Sequence, residues 1–301
     1  MSEDDHQRDV RRYYGSKAAA YHEQYERERL QDTSRHYPAN YFRLQLLLNS
    51  FLRKGLKRII EVGVGEGTPL AALGRAGIDI WGFDISEEMV ERSKENMLEH
   101  GMDADHIFWG DIEDPITYTH MLHEGLFDGL MAMGVMPHVR NEEVVLKNMA
   151  TLVRPGGTVF IEFRNKLFSL FTFNRYTYDF ILNDLLKDVE DDIKDAIAED
   201  LESRLRMDMP PVRTRLEGTD APGYDAILSK FHNPFEVVEL FEKLNFRDIE
   251  ILWYHYHPAM PYLADKMPER FRAEALHLEH ETSGWRGMFL CSAFVVEAVK
   301  A

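Results

Sequence analysis

The sequence predicts an α/β fold, a mostly parallel sheet with helices on both faces, and three observations carry that prediction. Apolar runs of strand length alternate with helix-period segments from residue 58 to residue 165. The first run ends in alternating glycines, Gly63, Gly65 and Gly67, and a helix pattern opens at once with Thr68-Pro69-Leu70. The second run ends in an acid, Asp84, about twenty residues beyond the glycine turn.

Residues 7–54 read as helices, with Tyr13, Ala18, Tyr21 and Tyr25 at helical spacing and a second apolar face over 41–48, closed by Gly55. Strand and helix signals then alternate. Residues 58–63 form a buried strand and a helix follows to Ala76. A second strand covers 78–84, and Ser86 caps a helix running to His100. Short strands at 106–110 and 127–133 come next, then a helix over 141–153. The turn Arg154-Pro155-Gly156-Gly157 feeds a fifth strand, 158–163.

After Asn165 the period changes. Residues 167–205 look helical, with Ile181, Leu185, Val189, Ile193, Ile197, Leu201 and Leu205 at four-residue steps and acids on the opposite face. That pattern reads as an amphipathic helix with a solvated acidic side. A loop over 210–223, a helix over 234–244 and strands at 248–255 and 287–297 complete the chain. The expected organisation is an N-terminal helical extension (1–55), a nucleotide-binding α/β domain (56–165 and 231–301) and a helical insert (166–230). Leaving the carboxyl end of the fifth strand, the insert is placed to act as a lid over the ligand edge of the sheet.

Composition narrows the function classes. The 301 residues are 45% hydrophobic and 29% charged, ordinary for a globular protein. No apolar run is long enough to span a membrane. Met1-Ser2-Glu3-Asp4-Asp5 is unlike a signal or transit peptide. The single cysteine, Cys291, excludes an intramolecular disulfide, fits a reducing cytoplasm, and sits in an apolar run as a buried thiol. A net charge of -17 with no Lys/Arg run disfavours nucleic acid and other large polyanions, and favours small neutral or cationic acceptors. A homodimer is left open.

Glycines at a strand-to-helix turn let the backbone pass close beneath a nucleotide-like ligand. The spacing here is Gly-x-Gly-x-Gly, one residue shorter than the dinucleotide fingerprint Gly-x-Gly-x-x-Gly. Asp84 is placed to accept both ribose hydroxyls of such a ligand.

The segment Glu61-Val62-Gly63-Val64-Gly65-Glu66-Gly67 resembles the first motif of class I S-adenosylmethionine-dependent methyltransferases, Glu-x-Gly-x-Gly-x-Gly. Later stations follow in order: Gly82-Phe83-Asp84, Gly110-Asp111-Ile112, Phe127-Asp128 and Arg154-Pro155-Gly156-Gly157. The resemblance covers residues 58–165, with a continuation at 231–301. It implies a Rossmann-like sheet with an antiparallel last strand and a helical cap, and S-adenosyl-L-methionine as cofactor. It further implies a cofactor loop of Glu61, Gly63, Gly65 and Gly67, ribose on Asp84, adenine near Ile85, Met89, Asp111 and Ile112, and the methionine moiety near Met133. Tyr14 and Tyr21 are expected to close over the cofactor.

Methyl transfer from a sulfonium by in-line displacement needs positioning, and a hydroxyl acceptor benefits from a general base. The first candidate base is His138, just beyond the fourth strand. His232 and the alternating pair His255 and His257 are further candidates, and Arg164, with Glu162 and Asn165, is placed to grip an acceptor carboxylate or hydroxyl. No metal is expected, because a lone His-x-His pair is half a site. The expected activity is O-methylation of a small molecule such as a sugar or natural product. N- or C-methylation, a nicotinamide-dependent oxidoreductase and a non-catalytic binding subunit are the alternatives.

Overall fold

A computed structural model of the chain describes residues 3–17, 23 and 25–301. Its strands are β1 (Arg58–Val62), β2 (Asp79–Asp84), β3 (Ile107–Trp109), β4 (Phe127–Ala132), β5 (Val153–Arg164), β6 (Phe246–Tyr256) and β7 (Cys291–Lys300). They form one sheet in the order β3-β2-β1-β4-β5-β7-β6. β1 to β5 pair in parallel, and β7 runs antiparallel to both β5 and β6. The order switches sides at β1, which has β2 on one flank and β4 on the other. Such a switch opens a crevice at the carboxyl ends of the strands.

Each face of the sheet buries a separate apolar layer. On one, Ile59, Ile80, Met131 and Phe160 pack under α2 (Ala39–Lys54) and α3 (Thr68–Arg75), with Phe51 edge-on to Phe160 at 4.5 Å. On the other, Phe83, Leu130, Ile161 and Phe163 pack against α5 (Glu142–Leu152) and α9 (Pro234–Lys243). Helix starts follow the capping residues in the sequence. Ser86 accepts from the Met89 N–H at the head of α4 (Glu87–Glu99), Asn141 from Val144, and Asn233 from Phe235. Asp128 is a strand-edge acid: it accepts the backbone N–H groups of Lys57 and Arg58 and pairs with Arg154.

Three expectations change. The helix read over 167–205 is broken into α6 (Ser169–Thr172), α7 (Arg175–Asp179), a π-helical turn (Phe180–Leu185) and α8 (Asp191–Arg204). A four-residue apolar step drifts about 40° per repeat around a helix, so one straight helix cannot keep that stripe buried. The break is built at Phe173, with φ of 52°, and at Asn174, which with Thr177 forms a capping box. α8 buries none of its side chains, as its acidic face requires. The expected turn at 154–157 is the start of β5 itself. The last strand begins only at Cys291, because Gly287–Leu290 make a helical turn, α11, whose Met288 carbonyl is held by the Asn165 amide at 2.7 Å.

The N-terminal segment crosses the carboxyl edge of the sheet. α1 (Glu3–Gly15) lies against α4, and the chain leading into α2 is pinned from the far side. Arg272, on α10 (Pro268–Leu278), donates to the Arg29 and Arg35 carbonyls at 2.9 and 2.7 Å. Tyr37 donates its hydroxyl to the buried Glu279 at 2.8 Å. The insert meets the same segment: Arg12 donates to the Asp220 carbonyl at 3.0 Å, and Tyr13 lies edge-on to Tyr224 at 6.3 Å. Among the described residues no helix is long and apolar enough to cross a membrane. Cys291 is buried, as its apolar run predicts.

Candidate cofactor and acceptor site

The glycine turn works through its backbone. Gly63, Gly65 and Gly67 all have positive φ, at 72°, 56° and 85°. A side chain at Gly63 would strike Val135 at 2.6 Å and one at Gly67 would strike Ser93 at 2.4 Å, so these two glycines let the loop after β4, and α4, approach. At Gly65 a Cβ would meet nothing within 4 Å. It would project into the cavity at the sheet's carboxyl edge, whose wall Gly65 forms with Glu61, Asp84, Asp111 and His138.

Eleven of the sequence-predicted residues line that cavity: Tyr14, Glu61, Gly63, Gly65, Asp84, Ile85, Met89, Asp111, Ile112, Met133 and His138. Gly67 serves from behind, in packing. Tyr21 lies outside the described residues. Asp84 is fixed by the backbone, its two carboxylate oxygens accepting from Gly65 and Ser86 N–H groups at 2.9 Å each. Burial nevertheless pushes its pKa up. Burial also raises Glu61 well above the usual carboxylate range, with Arg43 opposing and Glu66 and Asp84 adding to the rise. Glu61 Oε2 has no hydrogen-bond partner. A buried carboxylate oxygen without a donor, on the wall of a cavity, fits a cationic ligand group. The glycine that opens the cavity floor and the acids around it therefore fit S-adenosylmethionine, which carries an ammonium and a ribose.

The far wall comes from the N-terminal segment and the loop after β4. His138 ends a short 3₁₀ turn, Met136–His138, and is buried. Its Nδ1 lies 2.6 Å from the Leu228 carbonyl, which only accepts, so Nδ1 carries the proton. In the neutral ring Nε2 is then an acceptor, and it takes the Tyr14 hydroxyl at 2.8 Å. Gln7, on α1, donates its side-chain amide to Asp111 Oδ2, while Oδ1 accepts the Glu113 N–H at 2.9 Å.

Two residues that sequence reasoning did not single out are central here. Arg43 is buried, pairs with Glu162 at 2.6 Å and donates to Tyr25 at 3.0 Å while facing the cavity. Tyr254 donates to the other oxygen of Glu162. The signal for Arg43 was a lone cation one turn from Leu47 on the buried side of an otherwise apolar helix. Gln7 had none.

The structure does not bring the remaining candidates to the cavity. His232 packs edge-on to Phe163 at 5.0 Å, 3.4 Å from Glu142. Its backbone bridges Arg164 and Lys166, so it staples the insert's return to β5. His255 stacks on Tyr37 at 5.5 Å and meets Ser292 at 2.7 Å, and burial lowers its pKa to about 4. Arg164 lies over the Tyr224 ring at 4.5 Å, and Tyr13 is edge-on to both Tyr224 and Tyr14. Among the described residues no group of three or more His, Cys, Asp or Glu is placed to hold a metal.

The chain is similar to ubiquinone biosynthesis O-methyltransferases. It is 29% identical to the Pectobacterium atrosepticum protein over 110 residues, 36% of this chain and 44% of the relative. It is 28% identical to an Escherichia coli counterpart over the same 110 residues. The match thus spans less than half the length of these curated relatives. In fold it is similar to magnesium protoporphyrin IX methyltransferase from Synechocystis PCC 6803 with bound SAH, with a TM-score of 0.54 at 13% identity over 98% of this chain and 99% of that one. The same enzyme with bound SAM gives 0.52. A family model described as a methyltransferase domain matches residues 34–251, well over half of the chain. With the glycine turn, Asp84 and the antiparallel β7 in place, the chain belongs to the S-adenosylmethionine-dependent methyltransferase domain family.

Proposed function

We propose that this chain transfers the methyl group of S-adenosylmethionine to a hydroxyl oxygen of a small acceptor, with His138 as general base. The observation that carries the reading is the tautomer of His138. A donor-only Nδ1, held by a backbone carbonyl, leaves Nε2 as the proton acceptor on the cavity wall. The O-methyltransferase relatives, matched over part of their length, support oxygen as the accepting atom.

When bound, S-adenosylmethionine supplies a methyl group on a sulfonium, open to in-line displacement. Asp84 receives the ribose hydroxyls, Asp111 the adenine amino group, and Ile85, Met89 and Ile112 the adenine faces. Glu61 receives the ammonium, and Arg43, with Tyr25, the carboxylate. Tyr14 holds the imidazole edge toward the cavity until the acceptor hydroxyl takes its place on Nε2. His138 then accepts that hydroxyl's proton, and the Leu228 carbonyl stabilises the imidazolium through Nδ1–H. α1 and the 166–230 insert act as the cap that excludes water.

Calorimetry with S-adenosylhomocysteine and with NAD tests the cofactor half. Binding of S-adenosylhomocysteine alone is expected, and binding of NAD alone overturns the reading. Turnover of methyl-labelled S-adenosylmethionine with a hydroxylated acceptor panel tests the rest. A single H138Q variant that keeps full turnover removes His138 as the base.

A further inference from the structure

Beside Tyr14 the local charge runs against that of the whole chain. The net charge is -17, yet cations gather around two tyrosines. Arg164 and Arg213 both lie over the Tyr224 ring, at 4.5 and 5.1 Å. Lys17 lies over the Tyr13 ring at 4.3 Å and donates to its hydroxyl. Tyr13 is edge-on to Tyr224 on one side and to Tyr14 on the other, at 6.3 and 5.1 Å. Ser229 ties Tyr224 to the loop whose Leu228 carbonyl holds His138.

Neutralisation within the chain is incomplete. Asp225 pairs with Arg175 at 3.3 Å and stands 3.7 Å from Arg213. Neither Arg164 nor Lys17 has an ion-pair partner among the described residues, and the half-buried Arg164 guanidinium donates no hydrogen bond there. A guanidinium presents five donors in a planar fork that matches carboxylate and phosphate oxygens. Holding two such groups over one ring costs repulsion that a bound anion removes.

We propose that the acceptor carries an oxyanion, a carboxylate or a phosphate, and that its far end reaches past the cofactor cavity to Arg164, assisted by Arg213 and Lys17, along the side where Tyr13 links Tyr14 to Tyr224. The proposal rests on the methyl-transfer reading for the identity of the site but not for its charge chemistry. The proposal reverses, for this patch, the preference for neutral or cationic acceptors drawn from net charge.

Titration calorimetry on the full chain, with and without S-adenosylhomocysteine, would use benzoate, phenyl phosphate and the neutral control benzamide. At least one anion is expected to bind tenfold or more tightly than benzamide. The stronger of the two distinguishes carboxylate from phosphate. R164Q and, at an exposed position where folding is safe, R213Q are expected to shrink that preference, and R164K to keep most of it. Equal binding of benzamide and both anions to the unmodified protein overturns the proposal, as does an unchanged preference in R164Q that still binds S-adenosylhomocysteine. Failure to bind S-adenosylhomocysteine while anions still discriminate overturns the cofactor reading instead.

Discussion

The two walls of the cavity are held by different kinds of contact. On the strand side, Gly65 donates to Asp84 across 19 residues, and Ser86 donates to the same carboxylate from two residues away. On the cap side, Tyr14 meets His138 across 124 residues and Gln7 meets Asp111 across 104. The first wall is backbone geometry attached to a rigid sheet. The second is a set of side chains brought together by the path of the N-terminal segment and the insert. Under the proposed function, the first wall holds the cofactor and the second, with His138, meets the acceptor.

The strongest way to break this division is to remove the proposed base, His138. H138Q is expected to lower kcat by about a hundredfold or more, as loss of a general base does, with the Kd for S-adenosylhomocysteine within twofold. If cofactor affinity falls in step with kcat, the two walls are not separable. Second in size is the anchor of the N-terminal segment. Burial pushes the Glu279 carboxyl up to about 7, against hydrogen bonds from Tyr256, Tyr37 and His255. A raised folded-state pKa means stability that is fully present below the unfolded value near 4.5 and is lost as pH rises through about 7. The loss is on the order of 3 kcal/mol by linkage. Denaturant midpoints between pH 4.5 and pH 8 should fall in the native chain, and E279Q should flatten that fall. An unchanged slope in E279Q would assign it to other groups.

The cofactor wall is sharpened by E61Q, for which two readouts should move in opposite directions. Replacing a buried carboxyl group whose Oε2 lacks a donor should leave the melting temperature equal or higher. Removing the carboxylate that faces the ammonium should weaken S-adenosylmethionine about tenfold, in line with hydrogen bonds to charged groups. Y14F is a smaller cap-side test: kcat should fall only severalfold, since the Leu228 carbonyl still fixes the tautomer, and the acceptor KM should rise with it. The smallest effect belongs to α8. D195N, on a helix with no buried side chain, should change stability by less than about 0.5 kcal/mol and leave kcat alone.

The same contrast explains what could be read from the sequence. Gly63, Gly65, Gly67 and Asp84 were legible because their task is local: a turn, an approach, a strand end. The sheet followed, with its antiparallel β7, because the later stations came in order. Arg43 was not legible, since its reason is Glu162, 119 residues on. Sequence ranked His138 ahead of His232 and His255 by its place just beyond the fourth strand, but could not show which of the three reaches a cavity. Only the packing shows that one faces a cavity while the others meet Phe163 and Tyr37. The broken 167–205 segment failed for a related reason, because its apolar step fits no single buried face.

The hydrogen bond from His138 to Leu228 ties two inheritances together. The carbonyl that decides where the imidazole carries its proton belongs to the segment that bounds the acceptor side. A descendant of this chain that exchanged or remodelled that segment to accept a new compound would, in the same stroke, reset the protonation geometry of its base. Substrate range and turnover would then diversify as one trait rather than two.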